Sequence, residues 1–359
     1  MFKIYQKYLI KKFLVKFGYI SLTFFALSVV LGVLEEISFF KNLESNFLFP
    51  LFLTLINAPS TLFEIFPFIV LLTTQFLFFE LYKNKELNLL KTNGLNNIKI
   101  IKILTLTAFF IGFLNISVFY NLSSGLKFYY SDIKNSFSND NKYLAVVNDS
   151  GIWLRDEIDE GILIVKSSNI KNNYLNNVII NQFDSEFNLL KTIQSDRVNI
   201  LSKNWIIYNP TITKKNITTQ IENKIFLNSN FDQDKINSLF SNFSTLNLWE
   251  LFYLKTDYEK LGYSSNEVTI HLLKLFSSPI LYGLMTLLAS VIMFHSSKIK
   301  SLFFSMVFGI LISVFIYYIN FMFISLGNTG KIPNYLSILL PIFFISIINL
   351  FGLTRLNEK

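Results

Sequence analysis

Six stretches of this chain are apolar and uncharged for long enough to cross a bilayer, and that leaves few folds open. Phe17–Leu34 carries no charge over 18 residues and follows Lys3, Lys7, Lys11, Lys12 and Lys16. No small-x-small cleavage site comes after it, and the run is longer than a signal-peptide core, so it reads as a retained helix. The second run is about Pro59–Phe79, with Glu64 in its first turns and Pro67 just after. The third, Ile103–Leu126, has 24 uncharged residues, roughly 36 Å as a helix. Leu275–Phe294 is the fourth, the fifth lies within Ser301–Gly330, and Ile332–Leu353 is the sixth. Pro59, Pro67, Pro279 and Pro341 shape these helices rather than end them.

Between the third and fourth runs the character changes. Residues 127–274 hold 16 Lys and Arg against 17 Asp and Glu. That dense, balanced mixture belongs in water. The chain as a whole is only 16% charged and 52% hydrophobic, where a soluble protein needs about a quarter of its residues charged. The expected layout is therefore three spans over 1–126, a soluble domain over 127–262, and three spans over 263–359.

Cysteine is absent, which excludes disulfide scaffolds, thiolate zinc sites and thiol nucleophiles. The net charge of +8 comes almost wholly from lysine, since Arg155, Arg197 and Arg355 are the only arginines. Heavy use of Lys, Asn, Ile and Phe fits an AT-rich coding sequence, so basicity does not point to nucleic acid.

The placement of the lysines is more telling. With six spans both termini share a side. That side carries the five lysines before the first span, then Lys83, Lys85, Lys91, Lys99 and Lys102, then Lys298, Lys300, Arg355 and Lys359. The two short loops on the other side hold only Lys41 and Lys331. The positive-inside rule puts both termini in the cytoplasm and the soluble domain in the periplasm.

That domain reads as all-β. Short Ile-, Val- and aromatic-rich runs are spaced by Asn, Asp, Ser and Pro: Gly151–Arg155, Ile162–Lys166, Asn177–Phe183, Phe187–Ile193, Arg197–Leu201, Trp205–Tyr208 and Thr219–Phe226. The pattern predicts a sandwich or jelly roll. Leu248–Leu261 has helical spacing and reads as an interfacial helix leading back to the membrane.

No catalytic constellation is visible. The 13 glycines form neither a phosphate loop nor a dinucleotide pattern. His271 and His295 lie at opposite ends of the fourth span and cannot share a metal. Neither an enzyme nor a cofactor site is expected in this chain. Glu35, Glu36 and Glu64 fall at the outer interface by this reading, either solvated or at the rim of a substrate cavity.

One loop is sharper. Tyr82–Leu95, between spans two and three, reads as a short helix at about 83–94. Glu86 near its start and Lys91 near its end favour the macrodipole. Gly94 suits a left-handed position just past the end, followed by apolar Leu95. Leu87 and Leu90 share a face. So short a helix is unstable alone, so it docks on the bilayer surface or on a cytoplasmic partner.

Glu86-Leu87, then six residues, then Gly94 resembles the coupling-helix signature of the LptF/LptG permease family. Pro59 with Glu64-Ile65-Phe66-Pro67 resembles its second span, and Gly151 to Asp156 the first strand of its domain. Leu248 to Gly262 followed by Leu275 to Pro279 resembles its return helix and fourth span. Gly327, Gly330, Ile332-Pro333 and Pro341 resemble the approach to its sixth. Leu34-Glu35-Glu36-Ile37 and the segment from Gly330 to Pro341 look more like LptG than LptF.

The resemblance implies a permease that pairs with its paralogue on an LptB-like ATPase dimer. The complex takes lipopolysaccharide from the inner membrane and passes it through jelly-roll domains to an LptC-like bridge. ATP and Mg are then bound by the partner ATPase, and this chain holds no cofactor. Glu86 is the acid expected to meet a basic residue of the ATPase, with Leu87 and Leu90 filling its groove and Gly94 ending the helix. Some members carry a cation in the outer half of span one to meet substrate phosphates. Here that stretch offers Gly32, Glu35 and Glu36, and Lys41 is the nearest cation, so these three charged residues form the candidate cavity rim. An ABC permease for another envelope lipid or a lipoprotein would show the same layout. A membrane-anchored periplasmic scaffold would need no ATPase.

Overall fold

The computed structural model describes residues 3–41, 48–137, 152–158, 161–171, 173–184, 186–214, 217–221, 223–233, 236, 242–260, 264–296 and 302–357. Gly151, Leu261, Gly262, Lys298, Lys300 and Lys359 lie outside the described residues. The chain divides into two compact units, Met1–Lys127 with Asn266–Lys359, and Phe128–Ser265.

Six described helices are long and apolar enough to cross a membrane. They are α1 (Ile4–Phe40), α2 (Leu48–Lys83), α4 (Asn97–Leu114) continued through a π-helical stretch (Asn115–Tyr120) into α5 (Asn121–Ser136), α7 (Asn266–Ser296), α8 (Leu302–Asn328) and α9 (Asn334–Asn357). Two shorter helices are α3 (Glu86–Thr92) and α6 (Leu248–Lys260).

Several helices outrun the apolar stretches that announced them. Lysine is a good helix former and its stem can lie along apolar surface. Thus α1 starts at Ile4, where the Gln6 side chain accepts a hydrogen bond from the Lys3 N–H at 2.9 Å. Helix α2 begins at Leu48, 11 residues before Pro59, and runs on through Pro59 and Pro67. Helix α7 begins at Asn266 rather than Leu275.

The core of the helical unit joins Leu9 and Phe13 of α1 to Ile69 and Phe78 of α2, Ile100 and Leu104 of α4, and Met293 of α7. Helices α4 and α7 approach closely at Gly112. A Cβ built there would lie 2.6 Å from the backbone Cα of Pro279, which cannot yield. Gly112→Val is expected to destabilise the bundle by about 1–3 kcal/mol through overpacking, seen as a lower melting temperature in detergent. An unchanged melting point would mean that the two helices separate freely.

The second unit carries one antiparallel sheet, nine-stranded among the described residues. Its strands are β1 (Ile152–Ile158), β2 (Gly161–Ser167), β3 (Asn169–Lys171), β4 (Tyr174–Phe183), β5 (Leu189–Asn199), β6 (Asn204–Tyr208), β7 (Thr211–Lys214), β8 (Ile217–Gln220) and β9 (Ile225–Asn228). The main path runs β1-β2-β4-β5-β6-β9, with β3 on the edge of β4 and the β7–β8 hairpin on β5. This curved sheet fits a jelly-roll-like architecture, and with the six helices it establishes the expected fold class.

Two predicted runs prove to be one strand. Phe187–Ile193 and Arg197–Leu201 read as separate because their apolar positions fall out of phase by one. In β5 the buried side chains switch from Ile193 and Ser195 to Val198. Neighbouring β4 switches at the matching place, from Leu175 to Val178, across Asn177 with φ +51°. Leu175 pairs with Val198 and Val178 with Ser195, so the sheet creases without losing register. The Ser195 hydroxyl caps the crease by donating to the Tyr208 carbonyl at 2.7 Å. Conversely, the predicted run Thr219–Phe226 divides between β8 and β9, and β7 was not foreseen. Its Thr-Ile-Thr-Lys sequence buries nothing fully, so the apolar signal was weak.

The sheet's interior is anchored by Trp205, which is fully buried and whose indole N–H donates to the Phe231 carbonyl at 2.7 Å. Buried Asp156 accepts from the Ser229 hydroxyl at 2.7 Å and from the backbone and side-chain N–H groups of Asn230, each at 2.9 Å.

Candidate functional site

Two places in the helical unit bring chemistry together. The first is the corner where α1 begins, α2 ends and α3 crosses. Lys85, with φ +57°, breaks the helix between α2 and α3. At the far end Gly94, with φ +81°, closes a Schellman motif: the Leu95 N–H reaches the Leu90 carbonyl at 3.1 Å and the Gly94 N–H the Lys91 carbonyl at 3.0 Å. Leu87 is 1% exposed and lies in the bundle core, with Leu90 packed against that core. The helix therefore docks on its own chain, which neither alternative drawn from spacing foresaw. Leu87 is not available to fill an ATPase groove. The exposed residues of α3 are Asn88, Leu89, Lys91 and Thr92, and Leu89 is 62% exposed.

Glu86 points inward as well. The Lys12 ammonium donates to its two carboxylate oxygens at 2.8 and 2.6 Å, and the Tyr8 hydroxyl donates at 2.6 Å. Asn84 adds a longer contact at 3.3 Å. Lys12 also reaches Glu80 of α2 at 3.0 Å, and Lys16 pairs with the other Glu80 oxygen at 2.5 Å. Within this chain the basic partner of Glu86 is Lys12. Partial burial disfavours the Glu86 anion, yet the bonds from Lys12, Tyr8 and Asn84 prevail and hold its carboxyl below the usual range. Because the folded-state value is depressed, its stabilisation is complete above the ordinary carboxylate value and fades as pH falls through the lower one. At the other end of α3, the Lys91 ammonium sits 5.4 Å from the centre of the Phe294 ring of α7.

The second place is a cavity of about 460 Å³ walled by α1, α2, α7, α8 and α9. Phe24, Phe63, Leu281, Met285 and Val314 make it apolar. Two charged residues line it, Lys274 of α7 and Glu64 of α2. Among the described residues, no ion pair or side-chain hydrogen bond engages the Lys274 ammonium or the Glu64 carboxylate. Glu64 lies 16 residues into α2, not at its start. Lys274 lies eight residues into α7, about 12 Å along its axis.

Sequence reading missed Lys274 by taking it as the last charge of the soluble block. A signal was present: Val268, Leu272 and Leu275, buried in the structure, recur at helical spacing across it. The three expected rim residues are elsewhere. Glu35, Glu36 and Lys41 do not line this cavity. Glu36 is 2% exposed rather than solvated. Glu35 and Lys41 are exposed at the far end of α1.

Residues 7–355 match the family model described as lipopolysaccharide export system permease LptF/LptG. The chain belongs to the LptF/LptG permease family. Comparison with proteins of curated function gives no match. The family model spans both paralogues, so membership makes the chain a multi-pass inner-membrane permease subunit of an ABC exporter, with lipopolysaccharide as the substrate of its complex. In this LptF/LptG-family permease, α3 lies between the second and third spans, and the cavity is walled by α1, α2, α7, α8 and α9.

Proposed function

We propose that this chain is the LptG-like permease that works with an LptF-like paralogue, an LptB-like ATPase dimer and an LptC-like bridge. Lipopolysaccharide leaves the inner membrane through the chamber between the permeases and passes by way of the β domain. Both termini and α3 face the cytoplasm, and the β domain faces the periplasm. The LptG-like role rests on Leu34–Ile37 and on the segment from Gly330 to Pro341.

The observation that carries this reading is the cavity with its unsatisfied charges. An ammonium without a partner on a membrane helix is costly. The cost is offset when an anionic ligand supplies charge-assisted hydrogen bonds. A lipid with phosphate on its headgroup and acyl chains below does both, filling the apolar wall while pairing Lys274. At about 460 Å³ the chamber falls in the range of small-ligand sites, roughly 300–1,000 Å³. It therefore takes part of a multi-acyl lipid, and the chamber between the two permeases takes the rest.

Leaving lipid for an apolar chamber gains acyl chains little, so the work comes from ATP hydrolysed by the partner, with its Mg. Affinity purification from native membranes in mild detergent is expected to recover the ATPase, a six-span paralogue and lipopolysaccharide. Recovery of this chain alone, in a detergent that keeps a control ABC transporter intact, would overturn the reading.

A further inference from the structure

We propose that the Lys12–Glu86 ion pair is the lever through which α3 moves α1, the wall of the cavity that carries Phe24. The inference rests on the reading of α3 as the helix that an ATPase moves, and not on the identity of the cargo.

Helix α1 is the least buried of the six described spans. In its apolar stretch 6% of residues are buried, against 61% in α2. Its buried residues stand at its two ends only: Leu9 and Phe13 beside the ion cluster, then Val33, Glu36 and Phe40. Between them Phe17, Ile20, Phe24 and Phe25 are partly buried against the bundle core. Phe17 stacks on Phe66 at 5.7 Å, and Phe24 meets Phe68 edge-on at 5.5 Å. Shifting the middle of α1 therefore slides a partly buried seam and displaces no fully buried side chain.

The ties at its start are divided by partner. Lys16 bonds Glu80 and holds α1 to α2. Lys12 bonds Glu80 and Glu86 together, and so joins α1 to both α2 and α3. Tyr8 adds a second α1 contact to the same Glu86 oxygen at 2.6 Å. Removing the Glu86 charge breaks the polar tie between α1 and α3, while Lys16–Glu80 keeps α1 on α2 and Leu87 keeps α3 in the bundle core. The Lys91–Phe294 contact leads from α3 to α7 instead and is the weaker kind of link. Displacement of α3 thus reaches α1 through these charge-assisted bonds, and α1 carries Phe24 of the cavity wall.

The chain has no native cysteine, so spin labels can be placed at Val30→Cys on α1 and Ile280→Cys on α7, both exposed. The distance between them is measured in the assembled complex in nanodiscs, nucleotide-free and trapped with ATP and vanadate. The distance is expected to shift on trapping in the otherwise native complex. Lys12→Met and Glu86→Gln are expected to lose the shift while still retaining the ATPase. Lys12→Arg is expected to keep it, and the exchange Lys12→Glu with Glu86→Lys to restore it. A shift that persists in Lys12→Met, or that is absent in the native complex, overturns the lever. Loss of the ATPase from Lys12→Met complexes overturns it too, by placing the cluster in docking. Native complexes that move α1 yet release no lipopolysaccharide support the lever and overturn the cargo.

Discussion

Lys274→Glu is expected to lower lipopolysaccharide bound to the purified complex about 100-fold, and ATP-driven release with it. Lys274 faces an apolar chamber and has no protein partner among the described residues. Reversing its charge removes a charge-assisted bond and sets a second anion beside Glu64 and the lipid phosphate. Like-charge contacts of this kind cost several kcal/mol, and each 1.4 kcal/mol is about tenfold in affinity. Lys274→Met separates this role from a structural one. It removes the charge but keeps an apolar stem of similar length, so lipid binding is expected to fall while melting of the empty protein stays unchanged. Lys274→Arg is expected to retain binding. The measurements are lipid per complex by mass spectrometry and melting by intrinsic fluorescence. Undiminished lipid in Lys274→Glu would remove this residue from the site.

The contrast between Lys274 and the expected rim shows what a linear reading can and cannot deliver. Span count, the inserted β domain and the crossing helix were legible because each depends on local pattern: uncharged length, alternation, and the Glu86 to Gly94 spacing. The direction in which a side chain points was not. On a helix as short as α3, Leu87, Leu89 and Leu90 are near-equivalent in sequence, and tertiary packing decides that Leu87 is buried and Leu89 is not. Glu86 was legible as an important acid, but its partner lies 74 residues away on α1, a separation that no local pattern encodes. Lys274 was lost to a convention, that a span begins after the last charge. A lysine with a long stem violates it whenever it lines a polar-headed cavity. The crease in β4 and β5 hid one strand for a related reason, since a two-residue alternation that changes phase looks like an end.

The burial of Leu87 leads to the other large expectation. If α3 receives an ATPase, the side chain it offers is Leu89, with Asn88 and Thr92 beside it. An exposed leucine on a helix fixed at both ends by Glu86 and Lys91 is pre-organised, and a docked partner orders little more on binding. Such an anchor in a desolvated groove is the kind of residue whose loss costs about 2 kcal/mol or more, and a charge placed there adds a burial penalty. Leu89→Asp is therefore expected to weaken retention of the ATPase about 100-fold with no change in the melting of this chain. Leu87→Ala is expected to do the reverse. It empties a core position at a cost of about 2–5 kcal/mol, so melting falls first and the ATPase is lost only with the fold. Surface immobilisation of the permease pair with titrated ATPase reads the first effect, and thermal unfolding reads the second. Leu89→Asp complexes that hold the ATPase at native strength would move the docking face off α3. The lever through Lys12 would then have no input, because a helix that nothing grips cannot pull α1.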